Sequence, residues 1–198
     1  MFGGGAAGQQ FGGPRPRAGA DLAAATTLPF RQAVEGSTVT FTVDGRTVTT
    51  RIPPGVRDGQ KIRLRGKGRP GTAGGPDGDL VVTVHVTPHP VFSLDGNNLR
   101  ITVPVTFPEA ALGATIAVPT LDGSTVKVKV PAGTPSGRTL RVRGRGVKTA
   151  KSTGDLLVTV QVAVPQKLSK AAREAVETFA AETAGQDVRA DLVRQAAE

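Results

Sequence analysis

Hydrophobic and polar positions alternate over much of this chain. Ser37 to Val43 places Val39, Phe41 and Val43 on one face and Thr38, Thr40 and Thr42 on the other, the period-two signature of a half-buried strand. Asp44-Gly45 comes next, then a second run with Val48 and Ile52. A two-residue turn at Asp-Gly predicts a hairpin in which Val43 faces Arg46 and Phe41 faces Val48. Later stripes, Leu80, Val82, Val84, Val86 and then Leu156, Val158, Val160, Val162, Val164, are expected in a core. Short helical turns are expected at Arg31 to Glu35 and at Pro108 to Leu112, the second with Pro at its first position and Gly113 just past its end. After Pro165 the grammar becomes helical. Ser169 reads as an N-cap, Leu168, Ala172, Ala175, Val176 and Phe179 recur at helical spacing, and Gly185 reads as a stop. Asp187 caps a second short helix carrying Val188, Leu192 and Val193. This tail either docks on the strands before it or pairs with a second chain.

The strands are organised by an internal repeat. Ile52-Pro53-Pro54-Gly55 with Asp58-Gly59 returns as Val130-Pro131-Ala132-Gly133 with Ser136-Gly137, and Ile62-Arg63-Leu64-Arg65-Gly66-Lys67-Gly68 returns as Leu140-Arg141-Val142-Arg143-Gly144-Arg145-Gly146, both at an offset of 78. Phe30, Ala33 and Gly36 return as Phe107, Ala110 and Gly113 at 77, and Gly78-Asp79-Leu80 as Gly154-Asp155-Leu156 at 76. Offsets that drift by a residue or two are small loop indels between two copies of one fold. The expected fold is therefore mainly β: two similar β domains in tandem, each with one short helix, over residues 21–96 and 97–166. A Gly- and Phe-rich linker (1–20) precedes them, and a helical segment (167–198) follows. Such a linker at the start of a chain is expected either to tether a missing upstream domain or to be an ordinary tail.

Composition narrows the chemistry. The 198 residues contain no Cys and two His, which removes disulfides, thiolate nucleophiles, Cys-ligated zinc and multi-histidine metal sites. No apolar run approaches a membrane span and no signal-peptide core begins the chain, so a cytoplasmic protein without membrane contact is expected. The carboxylates are scattered in Asp-Gly turns, and neither His85 nor His89 has a triad-like neighbourhood. No catalytic residue, metal ligand or cofactor is expected, and the chain is read as not an enzyme. Gly66-Lys67-Gly68-Arg69-Pro70-Gly71 spells a dinucleotide-type glycine pattern, but the prolines and glycines after it forbid the helix that would hold a pyrophosphate.

The charge is +9, from 25 Lys plus Arg against 16 Asp plus Glu. Lys61, Arg63, Arg65, Lys67 and Arg69 alternate with Ile62, Leu64, Gly66 and Gly68, and Arg141, Arg143 and Arg145 repeat the arrangement. A strand there would show a basic face. It is either a polyanion surface or a solvated face guarding a strand edge, so nucleic acid stands as an alternative partner. Phe41 is likewise either core or, with Val43, Val48 and Phe92, the lining of a shallow groove to which an extended peptide adds.

Taken together, Leu28 to Gly36, Ile52-Pro53-Pro54-Gly55-Val56, Leu64-Arg65-Gly66-Lys67-Gly68, Gly75-Pro76-Asp77-Gly78-Asp79-Leu80, Pro88-His89-Pro90-Val91-Phe92, Val118-Pro119-Thr120-Leu121-Asp122-Gly123 and Gly154-Asp155-Leu156 resemble the C-terminal region of the DnaJ-type J-domain co-chaperones. The resemblance covers nearly all of residues 21–166. It implies two tandem β-sandwich-like substrate-binding domains, the client-binding one over 21–96 and the second over 97–166, and a C-terminal helical dimerisation segment (167–198) in a V-shaped homodimer. It further implies binding of unfolded or partly folded client polypeptides and their delivery to a DnaK-type heat-shock chaperone. The His-Pro-Asp motif of the J domain is not in this sequence; His89-Pro90 is followed by Val91. Without the family's Cys-x-x-Cys repeats, the chain resembles the zinc-free class, which includes curved-DNA-binding J-proteins. By alignment with the family, the client groove falls on Ala24, Thr26, Phe41, Val43, Val48 and Phe92, and the dimerisation helix carries Leu168, Ala172, Val176 and Phe179. Ala24 and Thr26 are smaller than the aliphatic residues typical of that groove. Val39 and Thr40 stand where eukaryotic relatives carry Lys for acidic chaperone tails, so docking of that kind is not expected.

Overall fold

The structure, a computed structural model, describes residues 15–196; Phe2 and Phe11 of the expected linker lie outside the described residues. In chain order the elements are β1 (Leu22–Pro29), α1 (Phe30–Glu35), β2 (Ser37–Val43), β3 (Arg46–Ile52), β4 (Gln60–Leu64), β5 (Leu80–Thr87), β6 (Phe92–Asp95), β7 (Asn98–Thr106), α2 (Phe107–Leu112), β8 (Ala114–Pro119), β9 (Thr125–Val130), β10 (Thr139–Val142), β11 (Leu156–Ala163), α3 (Lys170–Glu182) and α4 (Ala190–Ala196). They form four sheets: β1-β5-β4, β10-β11-β7-β6, and the hairpins β2-β3 and β8-β9. The expected register holds, with Phe41 opposite Val48 and Val43 opposite Arg46. A mainly β architecture with short helices is thus what the alternation produces.

The sequence repeat is also a repeat of hydrogen bonds. β1 runs parallel to β5 as β7 does to β11, and β4 pairs antiparallel with β5 as β10 does with β11. Gly59 N–H donates to the Val84 carbonyl and Gly137 N–H to that of Val160. Gly68 N–H donates to Gly78, and Gly146 N–H to Gly154. Gly36 ends α1 with φ of 80°, where an added Cβ would lie 3.0 Å from the Ile52 carbonyl oxygen. Gly113 ends α2 in the same way, with φ of 86° and a Cβ position 3.0 Å from the Ala132 nitrogen. Only glycine fits either corner. The copies differ in one strand: β6 pairs with β7 through Phe92↔Ile101 and Leu94↔Leu99, whereas among the described residues β1 has β5 as its single strand partner.

Two main apolar clusters result. Leu28, Phe41, Ile52, Val56, Leu80, Val82 and Val84 form one, with Ala24, Val39, Val43 and Val48 packed against it. Val118, Leu121, Val128, Val147, Leu156 and Val158 belong to the other, together with Phe30 and Val34 of α1. The helix of the first repeat therefore buries its apolar face in the core of the second. Each fully buried Val, Leu or Ile contributes about 1.5–3 kcal/mol.

Several expectations need correcting. The stripe after Leu156 leaves the core before its end, since Val164 lies beyond β11 and is 84% exposed. The basic run is a strand only as far as Leu64, because Gly66 turns at φ of 64°. Both short helices begin one residue earlier than expected, at Phe30 and Phe107. Helix α3 stops at Thr183, before Gly185.

Candidate functional site

β1 and β2 are neighbours in sequence, separated by α1 and Gly36, yet they lie in different sheets. Among the described residues β1 pairs with β5 and β2 with β3, so each keeps one edge without a strand partner. Alternation sends Ala24 and Thr26 of β1 to the same face as buried Leu28. Phe41 and Val48 sit side by side across the hairpin, Phe41 at 8% exposure and Val43 and Val48 half-buried, all on the cluster that Ala24 also touches. Ala24, Phe41, Val43 and Val48 thus share one apolar cluster, and Thr26 lies on the same face of β1 as Ala24.

Phe92 lies elsewhere. It pairs with Ile101, belongs to the second cluster and is 7% exposed. His89 stands between Phe92 and Phe30, with ring centroids 5.2 Å and 5.6 Å away. The His89 Nδ1 accepts hydrogen bonds from the Val91 and Phe92 N–H groups at 3.1 and 3.2 Å. In the second repeat the counterparts of Ala24 and Phe41 are Ile101 and Val118, both buried, and β6 covers the edge that β1 leaves open.

Half of the residues in the two basic runs are held in ion pairs among the described residues. Arg63 Nε donates to Asp79 at 2.5 Å and also faces Asp21 at 3.5 Å. Arg69 pairs with Asp44 at 2.7 Å, and Arg141 with Asp155. The Gly66 N–H, followed by Arg63, holds the Asp79 carboxyl below the usual carboxylate range. The Gly144 N–H and Arg141 do the same for Asp155. Arg65, Lys67 and Arg143 make no ion pair among the described residues.

The C-terminal helix supplies a second apolar surface. Ser169 caps it, its Oγ accepting from the Ala172 N–H at 3.2 Å. Leu168, Val176 and Phe179 stay exposed and Ala172 is half-buried. The Phe179 ring meets that of Phe107 edge-on at 5.1 Å. Between α3, α2 and the end of β11 lies an open cleft of about 840 Å³ lined by Phe107, Pro108, Val162, Val164, Val176 and Phe179. Sequence reasoning missed Phe107 and Val164 here. The signal was present in the repeat, since Phe107 is the counterpart of Phe30: one is buried at 7%, the other left at 48%.

No three His, Asp or Glu residues converge among the described residues, and none of the described helices is long and apolar enough to cross a membrane. Residues 17–165 match the DnaJ C terminal domain family. The chain is 58% identical to chaperone protein DnaJ 1 of Streptomyces avermitilis over 152 residues, which are 76% of this chain and 38% of that protein. It is 64% identical to chaperone protein DnaJ 2 of Mycolicibacterium paratuberculosis over 137 residues, 69% of this chain and 35% of the relative. Against chaperone protein DnaJ 1 of Mycobacterium tuberculosis the identity is 62% over 137 residues, 69% of this chain and 34% of the relative. The matched stretch is little more than a third of each of these relatives' length. With that match over most of its length and no Cys in its sequence, the chain belongs to the family of DnaJ C-terminal domains, in its zinc-free class.

Proposed function

We propose that this chain holds unfolded or partly folded polypeptides for delivery to a DnaK-type chaperone in the cytoplasm, as the non-catalytic, client-binding part of a zinc-free co-chaperone. The observation that carries the reading is the apolar strip of Ala24, Phe41, Val43 and Val48 beside two strand edges that have no strand partner among the described residues. An extended peptide satisfies its main chain on such an edge and its alternate side chains on the strip. Few apolar contacts and main-chain pairing make this binding weak and tolerant of sequence. Residues 21–96 form the client-binding sandwich, 97–166 a second sandwich, and 167–198 the dimerisation segment through Leu168, Ala172, Val176 and Phe179. Phe92, packed in the second cluster and against His89, stands apart from this strip.

The test is titration of a labelled apolar peptide against the wild-type chain, Phe41→Ser and Val48→Thr. Phe41 is buried, so its loss also destabilises by about 3–5 kcal/mol. Val48→Thr keeps the shape and isolates the apolar contact. Both variants are expected to weaken binding, Val48→Thr by about fivefold, near 1 kcal/mol. Equal affinities for wild type and a folded Val48→Thr would remove the groove from this strip. A second reading, polyanion binding like that of curved-DNA-binding relatives, is favoured by Arg65, Lys67 and Arg143, which carry charge without an ion-pair partner among the described residues.

A further inference from the structure

The two hairpins are counterparts in the repeat, but they are fastened differently. The β8–β9 hairpin is pinned along its length: Val118, Val128 and Val130 are buried, and so are Thr120 and Leu121 at its tip. The Leu121 carbonyl accepts a hydrogen bond from the Arg31 guanidinium of α1, and Asp122 faces Arg145 at 3.8 Å. The β2–β3 hairpin buries Phe41 and Ile52 alone. Its base is fixed, since Ile52 is fully buried and Gly36 packs against the Ile52 carbonyl and Pro54 with no room for a Cβ. Its tip, Asp44 to Thr47, is exposed.

Among the described residues one side-chain interaction ties that tip to the rest of the fold. The Arg69 Nε donates to Asp44 Oδ2 at 2.7 Å, and no other side-chain hydrogen bond or ion pair leaves residues 42–47. Arg69 itself is anchored to the sheet. Its N–H donates to the Ala20 carbonyl at 2.9 Å and its carbonyl accepts from the Gly78 N–H at 2.9 Å. Ala20 leads directly into β1, so the ion pair spans the mouth between the first strand and the hairpin. A fixed base, an exposed tip and, among the described residues, one side-chain tie across the mouth make a door.

We propose that the β2–β3 hairpin is a hinged wall of the client groove, latched by the Asp44–Arg69 pair, and that clients enter when this latch releases. The proposal rests on the polypeptide-binding reading above and adds how the groove is gated. An exposed ion pair of this kind biases an equilibrium by about 1.5- to 5-fold. A ligand that binds the released form gains affinity by the same factor when the latch is removed.

Arg69→Gln and Asp44→Asn each break the pair at the surface; Asn suits the positive φ of 49° at Asp44. Hydrogen exchange followed by mass spectrometry reads the hairpin, and fluorescence anisotropy of a labelled apolar peptide reads the groove. In both single variants and the double, exchange across residues 37–52 is expected to quicken by about 1.5- to 5-fold, while residues 114–130 are unchanged. Peptide affinity is expected to rise by the same factor at low salt, and the gap from wild type to close at high salt, where the pair is screened. The double variant matches the singles, because all three lack the same interaction. Unchanged exchange in both singles overturns the latch. Faster exchange with unaltered affinity overturns the hairpin as the groove's wall. A wild-type chain that binds no peptide while the exchange pattern responds as stated overturns the polypeptide-binding reading and leaves the latch in place.

Discussion

Asp79 and Asp155 do the same job at equivalent places. Each accepts a turn N–H, from Gly66 at 2.7 Å and from Gly144 at 2.8 Å, and each takes an arginine from the edge strand beside it. Their own N–H groups are matched too, as that of Asp79 donates to Asp21 and that of Asp155 to Asn98. Both carboxyls titrate below their ordinary range, first because a backbone N–H points at the charged form. A depressed folded-state pKa means that the stabilisation is present above the unfolded value, about pH 4, and is lost as pH falls through the folded one. Urea midpoints are therefore expected to drop on acidification below about pH 4. Asp79→Asn with Asp155→Asn is expected to be less stable at neutral pH and flatter in its response to acid; a wild-type slope in that variant would show that these carboxyls are not the sensors. Arg63 and Arg141, two of the arginines that make the sequence look like an anion-binding stripe, are here intramolecular partners.

Among the elements, strands and hairpins are readable because alternation and Asp-Gly chemistry are local. The pairing of Phe41 with Val48 needs nothing beyond the turn. β6 is not readable: Phe92 to Asp95 is four residues beside a Pro-rich turn, and its role as an extra strand on β7 emerges only when the repeats are overlaid. The basic strand is shorter than its alternation suggests for a related reason, since the carboxylate that bends the chain at Gly66 comes from Asp79, outside any local window. Helix α3 presents the opposite case, legible as a helix but not in what it covers. Thirteen residues are marginal alone, and it buries none of its own side chains. Its Phe179 edge on Phe107 and the open cleft beside it fit cover by a second copy. Sedimentation is expected to show a dimer for the full chain and a monomer for one ending at Gln166. Phe107→Ser is expected to weaken the dimer by at least about tenfold with little change in melting temperature, because half of that ring faces solvent. A persistent dimer in the shortened chain would move the interface to the sheets.

At the scale of the whole molecule the +9 charge is spread over both repeats, and Arg63, Arg69, Arg141 and Arg145 of the basic runs are held in ion pairs. Duplex DNA binding is therefore expected to be weak, steeply salt-dependent, and reduced by charge reversal at Arg65 and Arg143, which have no carboxylate partners among the described residues. Salt-independent binding would point to a different contact. The arrangement of the repeats is what the sequence concealed most. Phe30 and Phe107 occupy the same repeat position, and nothing in the pattern tells that one is sealed by the following repeat while the other, edge-on to Phe179 of α3, stays 48% exposed. That seal also orders the birth of the protein. Arg31 and Leu121 are 90 residues apart, so at a ribosome's pace of about 5–20 residues per second the apolar face of α1 waits roughly five to twenty seconds for its cover. For that interval Phe30 and Val34 stand uncovered on the nascent chain.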